Sequence, residues 1–139
     1  MENIKFVLES EDGQADLTVA VVADKQRITQ VISNLLDNAV KFTKHGSVLI
    51  KTKRKKVNSG DEIVVSIEDT GSGITPKVLP RLFTKFATTS RTGTGLGLYI
   101  CKTIIEAHGG RIWGENNRDS RGATFAFSLP LLEHTIQND

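Results

Sequence analysis

Between Lys25 and about Thr43 the apolar residues fall at Ile28, Val31, Ile32, Leu35, Leu36, Ala39 and Val40. That is the i, i+3, i+4, i+7 rhythm of an amphipathic helix, and Asp24 suits its N-cap. Gly46 follows its end. Residues 4–9 and 17–22 read as two strands around the polar turn at 11–14. Residues 47–57 and 61–69 read as a hairpin turning at Asn58-Ser59-Gly60. Thr70 to Ile74 is a glycine-rich turn, and Pro76 suits the first turn of a short helix running to about Leu82. Residues 87–94 carry no apolar side chain larger than alanine and read as a mobile loop. A second long helix runs from about Leu96 to His108, stopped by Gly109-Gly110. Strands at 111–116 and 122–129, turning at 117–120, close the pattern. Hairpin strands with separate long helices predict an α+β fold, helices packed on one face of a mixed sheet. The domain is expected over residues 1–132, with a loose tail at 133–139.

Composition narrows the class. The 139 residues suit one domain, and 18 Lys+Arg against 16 Asp+Glu give a net charge of +2. That balance is not the footprint of a dedicated nucleic-acid binder, so no nucleic-acid partner is expected. Charged residues at 24% and hydrophobic ones at 38% argue against disorder. A single cysteine, Cys101, excludes an internal disulfide. No apolar run reaches the roughly 20 residues of a membrane span, and the first residues are not a signal peptide. These readings predict a soluble, cytoplasmic domain whose parent protein is free to be membrane-attached.

Three features carry candidate chemistry. On the first helix Asn34, Asn38 and Lys41 lie at i, i+4 and i+7, with Gln30 and Asp37 on the same side. Two interior asparagines each cost roughly half a kcal/mol of helix propensity relative to alanine. A solvated face explains them; so does a polar wall in which a carboxamide oxygen ligates Mg²⁺ and a lysine meets a phosphate. Asp69-Thr70-Gly71-Ser72-Gly73 directly follows a strand, which fits an ordinary turn or a carboxylate at a strand end with glycines for close backbone approach. Gly93-Thr94-Gly95-Leu96-Gly97-Leu98 opens a helix, where free amides favour phosphate. A Rossmann fingerprint is excluded because a polar loop, not a strand, precedes these glycines. A Walker A loop is excluded because no Gly-Lys-Ser/Thr tripeptide exists.

Together these motifs resemble the sensor histidine kinases. Asn34 to Thr43 resembles their asparagine box, Asp69 to Ile74 their first glycine box, and Phe83-Thr84-Lys85-Phe86 their phenylalanine box. Gly93 to Leu98 resembles their second glycine box and Gly122-Ala123-Thr124-Phe125 the last. The resemblance spans about residues 4–130. It implies the ATP-binding catalytic domain, a Bergerat-type two-layer α/β sandwich with a mixed sheet and three helices on one face.

By this resemblance Asp69 accepts a hydrogen bond from the adenine amine, which also rejects guanine, whose carbonyl would face the carboxylate. Thr124 supports the adenine through a water, and Gly71, Gly73 and Ile74 line the base. Asn38 ligates Mg²⁺ with Asn34 beside it, and Lys41 meets a phosphate. Phe42 packs on the nucleotide or in the core. Thr94, Gly95, Leu96, Gly97 and Leu98 bring amides to the phosphates. Residues 87–94 form a lid, from which Arg91 either reaches the γ-phosphate on closure or stays solvated. His108 reads as a helix-end residue, Trp113 and Cys101 as packing residues, and Lys53 to Lys56 as a solvated hairpin edge.

The family's acceptor histidine sits on a helical hairpin. None of the three histidines here, followed by Gly46, Gly109 and Thr135, begins such a box. The expected partners are therefore a phosphoacceptor and dimerisation hairpin of the parent kinase and a response regulator. Other readings stay open: an ATPase of the same superfold, a serine kinase of the anti-sigma type, or a nucleotide-sensing module. Against the ATPase, the position where hydrolytic relatives carry a glutamate base is Asn34.

Overall fold

The computed structural model of the chain describes residues 2–9, 16–43, 46–57, 60–86, 96–118 and 121–131. The lid at 87–94 with Arg91 and Thr94, Gly95, the side chain of Phe42 and the tail at 133–139 lie outside them. Strand β1 (Glu2–Glu9) pairs antiparallel with β2 (Asp16–Ala23). Helix α1 (Lys25–Phe42) starts at Asp24, whose Oδ1 accepts from the Arg27 amide at 3.3 Å. Strands β3 (Val48–Val57) and β4 (Gly60–Asp69) form the expected hairpin. Helix α2 (Gly97–Ala107) leads to β5 (Ile112–Asn116) and β6 (Ala123–Pro130).

The core follows from the sequence periods. α1 buries Ile28, Val31, Leu35 and Ala39, and α2 buries Cys101, Ile104 and Ile105. β4 alternates, with Ile63, Val65, Ile67 and Asp69 buried and Val64, Ser66 and Glu68 half-buried. Phe125, Phe127 and Leu129 of β6 join the same cluster. Both helices therefore pack on one layer of sheet, and the α+β sandwich stands.

Two details differ from the sequence expectation. The four-stranded sheet, in order β3-β4-β6-β5, is antiparallel at every pairing rather than mixed. Its neighbours come from two hairpins, β3-β4 and β5-β6. The connection through α2 carries β5 past the slot that β6 fills against β4. The short helix expected from Pro76 to Leu82 is only a 3-10 turn at Leu79–Arg81, so the described residues hold two α-helices rather than three. Too few residues there repeat a helical period to sustain more than one turn.

Two contacts fix how the helices run. His108, at the C-cap of α2, accepts from the Asp24 amide through Nε2 at 3.0 Å. An amide can only donate, so Nε2 is unprotonated and the ring proton sits on Nδ1, 2.8 Å from the Ile104 carbonyl. Farther along, Asn34 Nδ2 donates to Cys101 Sγ at 3.6 Å. The start of α1 meets the end of α2, and its middle meets the middle, so the helices are antiparallel. One more turn, about 6 Å along each axis, brings Asn38 level with Gly97 at the start of α2.

Candidate functional site

Asp69 ends β4 on the core side of the sheet and is 3% exposed. Its Oδ1 accepts from the Gly71 amide at 2.9 Å and the Ala123 amide at 3.3 Å. Among the described residues no hydrogen bond reaches Oδ2. A buried carboxylate with one oxygen anchored by two amides presents its other oxygen as an acceptor of fixed direction. Gly122 makes this possible: at φ +96° it lies so close that a Cβ would come within 2.0 Å of the Asp69 carbonyl oxygen.

The loop after Asp69 is held from β5. Asn116 Oδ1 accepts from the Ile74 amide at 2.7 Å, and its Nδ2 donates to the Ile74 carbonyl at 3.0 Å. Gly73 turns beneath it at φ +82°, where a Cβ would press on Asn116 Oδ1 at 2.9 Å. Asn117 Nδ2 donates to the carbonyls of Asp69 at 2.9 Å and Arg121 at 3.0 Å. Its Oδ1 accepts from the Thr124 hydroxyl at 2.7 Å. Periodicity does not single out these asparagines, because each acts on backbone more than 40 residues away.

The end of α1 reaches the same place. A Cβ on Gly46 would lie 3.5 Å from Thr43 Cγ2 and against the Thr70 hydroxyl, so the last turn of α1 abuts the residue after Asp69. Thr70 donates its amide to the Ser47 carbonyl at 3.1 Å and accepts the Ser47 amide at 2.9 Å. Gln30, Asn34 and Asn38 form a half-buried polar stripe along α1, and Lys41 is exposed on its last turn. Among the described residues no side chain caps the start of α2, and a Cβ on Gly97 would meet none of them within 4 Å. Leu96, Gly97 and Leu98 are half-buried there. So Asp69, Gly71, Gly73, Ile74, Asn38, Lys41 and the α2 N-terminus gather at one end of the domain.

Thr124 is placed otherwise than expected. Thr124 stands in register opposite Glu68 and Glu115, so its side chain leaves the sheet on the face away from Asp69. Ala123 is the β6 residue beside the carboxylate, and Thr124 spends its proton on Asn117. Asn34 turns its amide toward Cys101 in the helix interface. Burial pushes the Cys101 thiol above its ordinary value, opposed by the Asn34 hydrogen bond. Phe86 ends its segment at φ +64° with its ring two-thirds exposed, while Phe83 packs edge-on against Phe125 at 6.4 Å. Two grooves lie away from Asp69, one of about 610 Å³ between Arg27 and Tyr99 and one of about 330 Å³ beside Phe83 and Trp113.

Comparison with known proteins agrees with this geometry. Residues 23–133 match the family described as Histidine kinase-, DNA gyrase B-, and HSP90-like ATPase. The sensor protein FixL of Bradyrhizobium diazoefficiens is 46% identical over 132 residues, covering 95% of this chain and 25% of its own length. The chain thus spans about a quarter of that relative. The crystal structure of full-length ShkA in complex with AMPPNP superposes with a TM-score of 0.67 at 35% identity, covering 83% of this chain and 23% of that one. The nucleotide-free catalytic domain of histidine kinase ThkA superposes with a TM-score of 0.67 at 33% identity, covering 88% of this chain and 77% of that domain. The chain therefore belongs to the histidine kinase-, DNA gyrase B- and HSP90-like ATPase family, as a catalytic domain of the histidine kinase kind.

Proposed function

We propose that this domain, residues 1–132, binds Mg-ATP and passes the γ-phosphoryl group to a histidine on a separate dimerisation and phosphoacceptor hairpin. That phosphohistidine then serves a response regulator in a two-component system, on the cytoplasmic side where ATP is available. The observation that carries the reading is Asp69, buried, anchored through Oδ1 and with no hydrogen bond at Oδ2 among the described residues.

Oδ2 of Asp69 takes the adenine amine, and the Gly71–Ile74 loop borders the base, with Phe42 packing on the nucleotide. Lys41, Thr94, Gly95, Leu96 and the first amides of α2 at Gly97 and Leu98 meet the phosphates, and Arg91 reaches the γ-phosphate from the lid. Thr124 drops out of this set. Asn38 would contribute a neutral carboxamide oxygen to Mg²⁺, with Asn34 one helical turn away. The ion would neutralise phosphate charge. The imidazole lone pair of the acceptor forms the N–P bond as the bond to the ADP oxygen breaks, so this chain need only position and neutralise. Asn34 has no proton-accepting oxygen of carboxylate basicity, which disfavours attack by water.

Mixing the chain with a separately made acceptor hairpin and γ-labelled ATP tests this. Label should appear on the hairpin histidine, Asn38→Ala should abolish transfer, and phosphate release without hairpin should stay far below the roughly 10 s⁻¹ of a typical enzyme. Brisk hydrolysis with no transfer would replace the kinase reading with the ATPase one.

A further inference from the structure

Asn116 and Asn117 are adjacent in sequence, yet their carboxamides clamp the two ends of one loop. Asn116 pairs with both backbone groups of Ile74, as a strand partner would, at 2.7 and 3.0 Å. Asn117 holds the Asp69 carbonyl at 2.9 Å and, through Arg121 and Thr124, the turn that delivers Gly122 and Ala123 to the Asp69 carboxylate. The amide of Asn117 itself donates to the Gly122 carbonyl at 3.0 Å. Both protons of Asn117 Nδ2 and its oxygen are thus committed within the clamp.

The clamp controls direction more than existence. Asp69 Oδ1 stays near the Gly71 and Ala123 amides only while the loop and the β6 start keep their spacing, and that spacing aims Oδ2. With the clamp lost, the core of Ile67, Phe125 and Phe127 stays packed while the carboxylate is free to rotate by tens of degrees and carry Oδ2 out of line with a fixed donor. Hydrogen bonds weaken steeply once misalignment brings the angle below about 120°. We infer that Asn116 and Asn117 are positioning residues for base discrimination, setting how well Asp69 separates a 6-amino purine from a 6-oxo purine. This rests on the reading that Asp69 meets adenine.

The test is calorimetric titration of the whole chain with Mg-ATP, Mg-ITP and Mg-tripolyphosphate, for wild type, Asn117→Asp and Asn116→Ala. Asn117→Asp keeps the acceptor for Thr124 but sets a carboxylate against two carbonyls. Melting curves set a working temperature at which each variant is folded. Wild type should prefer ATP over ITP by about ten- to a hundredfold. Each variant should lose about tenfold for ATP while ITP and tripolyphosphate stay within about twofold, so that the preference collapses. Parallel losses for all three ligands, or an unchanged ATP-to-ITP ratio, would overturn the inference and leave the asparagines as plain structural residues. If Asn117→Asp does not fold, Asn116→Ala decides alone, since its bonds to Ile74 are on the surface. Equal affinity of wild type for ATP and ITP would instead remove the adenine reading itself, and this inference with it.

Discussion

Gly122→Ala is the sharpest single perturbation the structure offers. The added methyl would lie 2.0 Å from the Asp69 carbonyl oxygen, 2.7 Å from its carbonyl carbon and 2.8 Å from Oδ1. The nearest of these is backbone, so no rotamer change relieves the clash, and the two backbone segments must part by more than about 1 Å to restore van der Waals contact. The backbone at φ +96° adds about 1 kcal/mol of strain for any L side chain. Separation also weakens the Asn117–Asp69 and Ala123–Asp69 hydrogen bonds, about 1 kcal/mol each. The sum is about 3 kcal/mol, or a fall in melting temperature of about 10 °C for a chain of this length. Calorimetric melting reads the first effect. ATP titration well below the lowered transition reads the second, which should be a loss of at least tenfold because Oδ2 is no longer aimed. Gly122→Ala melting within about 2 °C of wild type, with ATP affinity unchanged, would refute the close approach and the role built on it.

Gly97→Ala is the contrasting case: the methyl meets none of the described residues within 4 Å, so stability should hold or rise by a few tenths of a kcal/mol while ATP affinity falls if phosphates approach that amide; equal ATP affinity in a titration would free Gly97 of any ligand role. Burial raises the Cys101 thiol above its ordinary value of 9.0, so the folded state holds that proton more tightly than the unfolded one. The stability this contributes is present below the unfolded value and is lost as pH rises through the folded value. Wild type should therefore lose more melting temperature between about pH 8 and pH 10 than Cys101→Ser, and identical slopes would contradict the burial.

Much of this was legible because it is local. The apolar period of α1, the Asp24 cap, the β3-β4 hairpin and the glycine stop of α2 are each encoded within a few residues, and each forms where the pattern puts it. Motif order along the chain also singled out Asp69, Gly71 and the α2 start as candidates. It did not mark faces. Thr124 follows a glycine turn of positive φ, so counting alternation from Gly122 gives no side of the sheet, and only pairing with Glu68 and Glu115 does. Asn116, Asn117 and the Asn34–Cys101 contact join side chains to groups 42, 48 and 67 residues away, a spacing without a period. The antiparallel slot of β6 was hidden for the same reason.

The central claim is that Asp69 reads the adenine amine, and Asp69→Asn tests it with least collateral damage. The new side chain can keep its oxygen on the Gly71 and Ala123 amides, so the fold should melt near wild type. The outward position then carries an NH₂ group instead of Oδ2, a donor facing a donor. Titration of both proteins with Mg-ATP and Mg-ITP should show ATP affinity down by about ten- to a hundredfold and ITP affinity level or improved, reversing the wild-type preference. A folded Asp69→Asn domain that still binds ATP as wild type does, with ATP still preferred over ITP, would contradict the account.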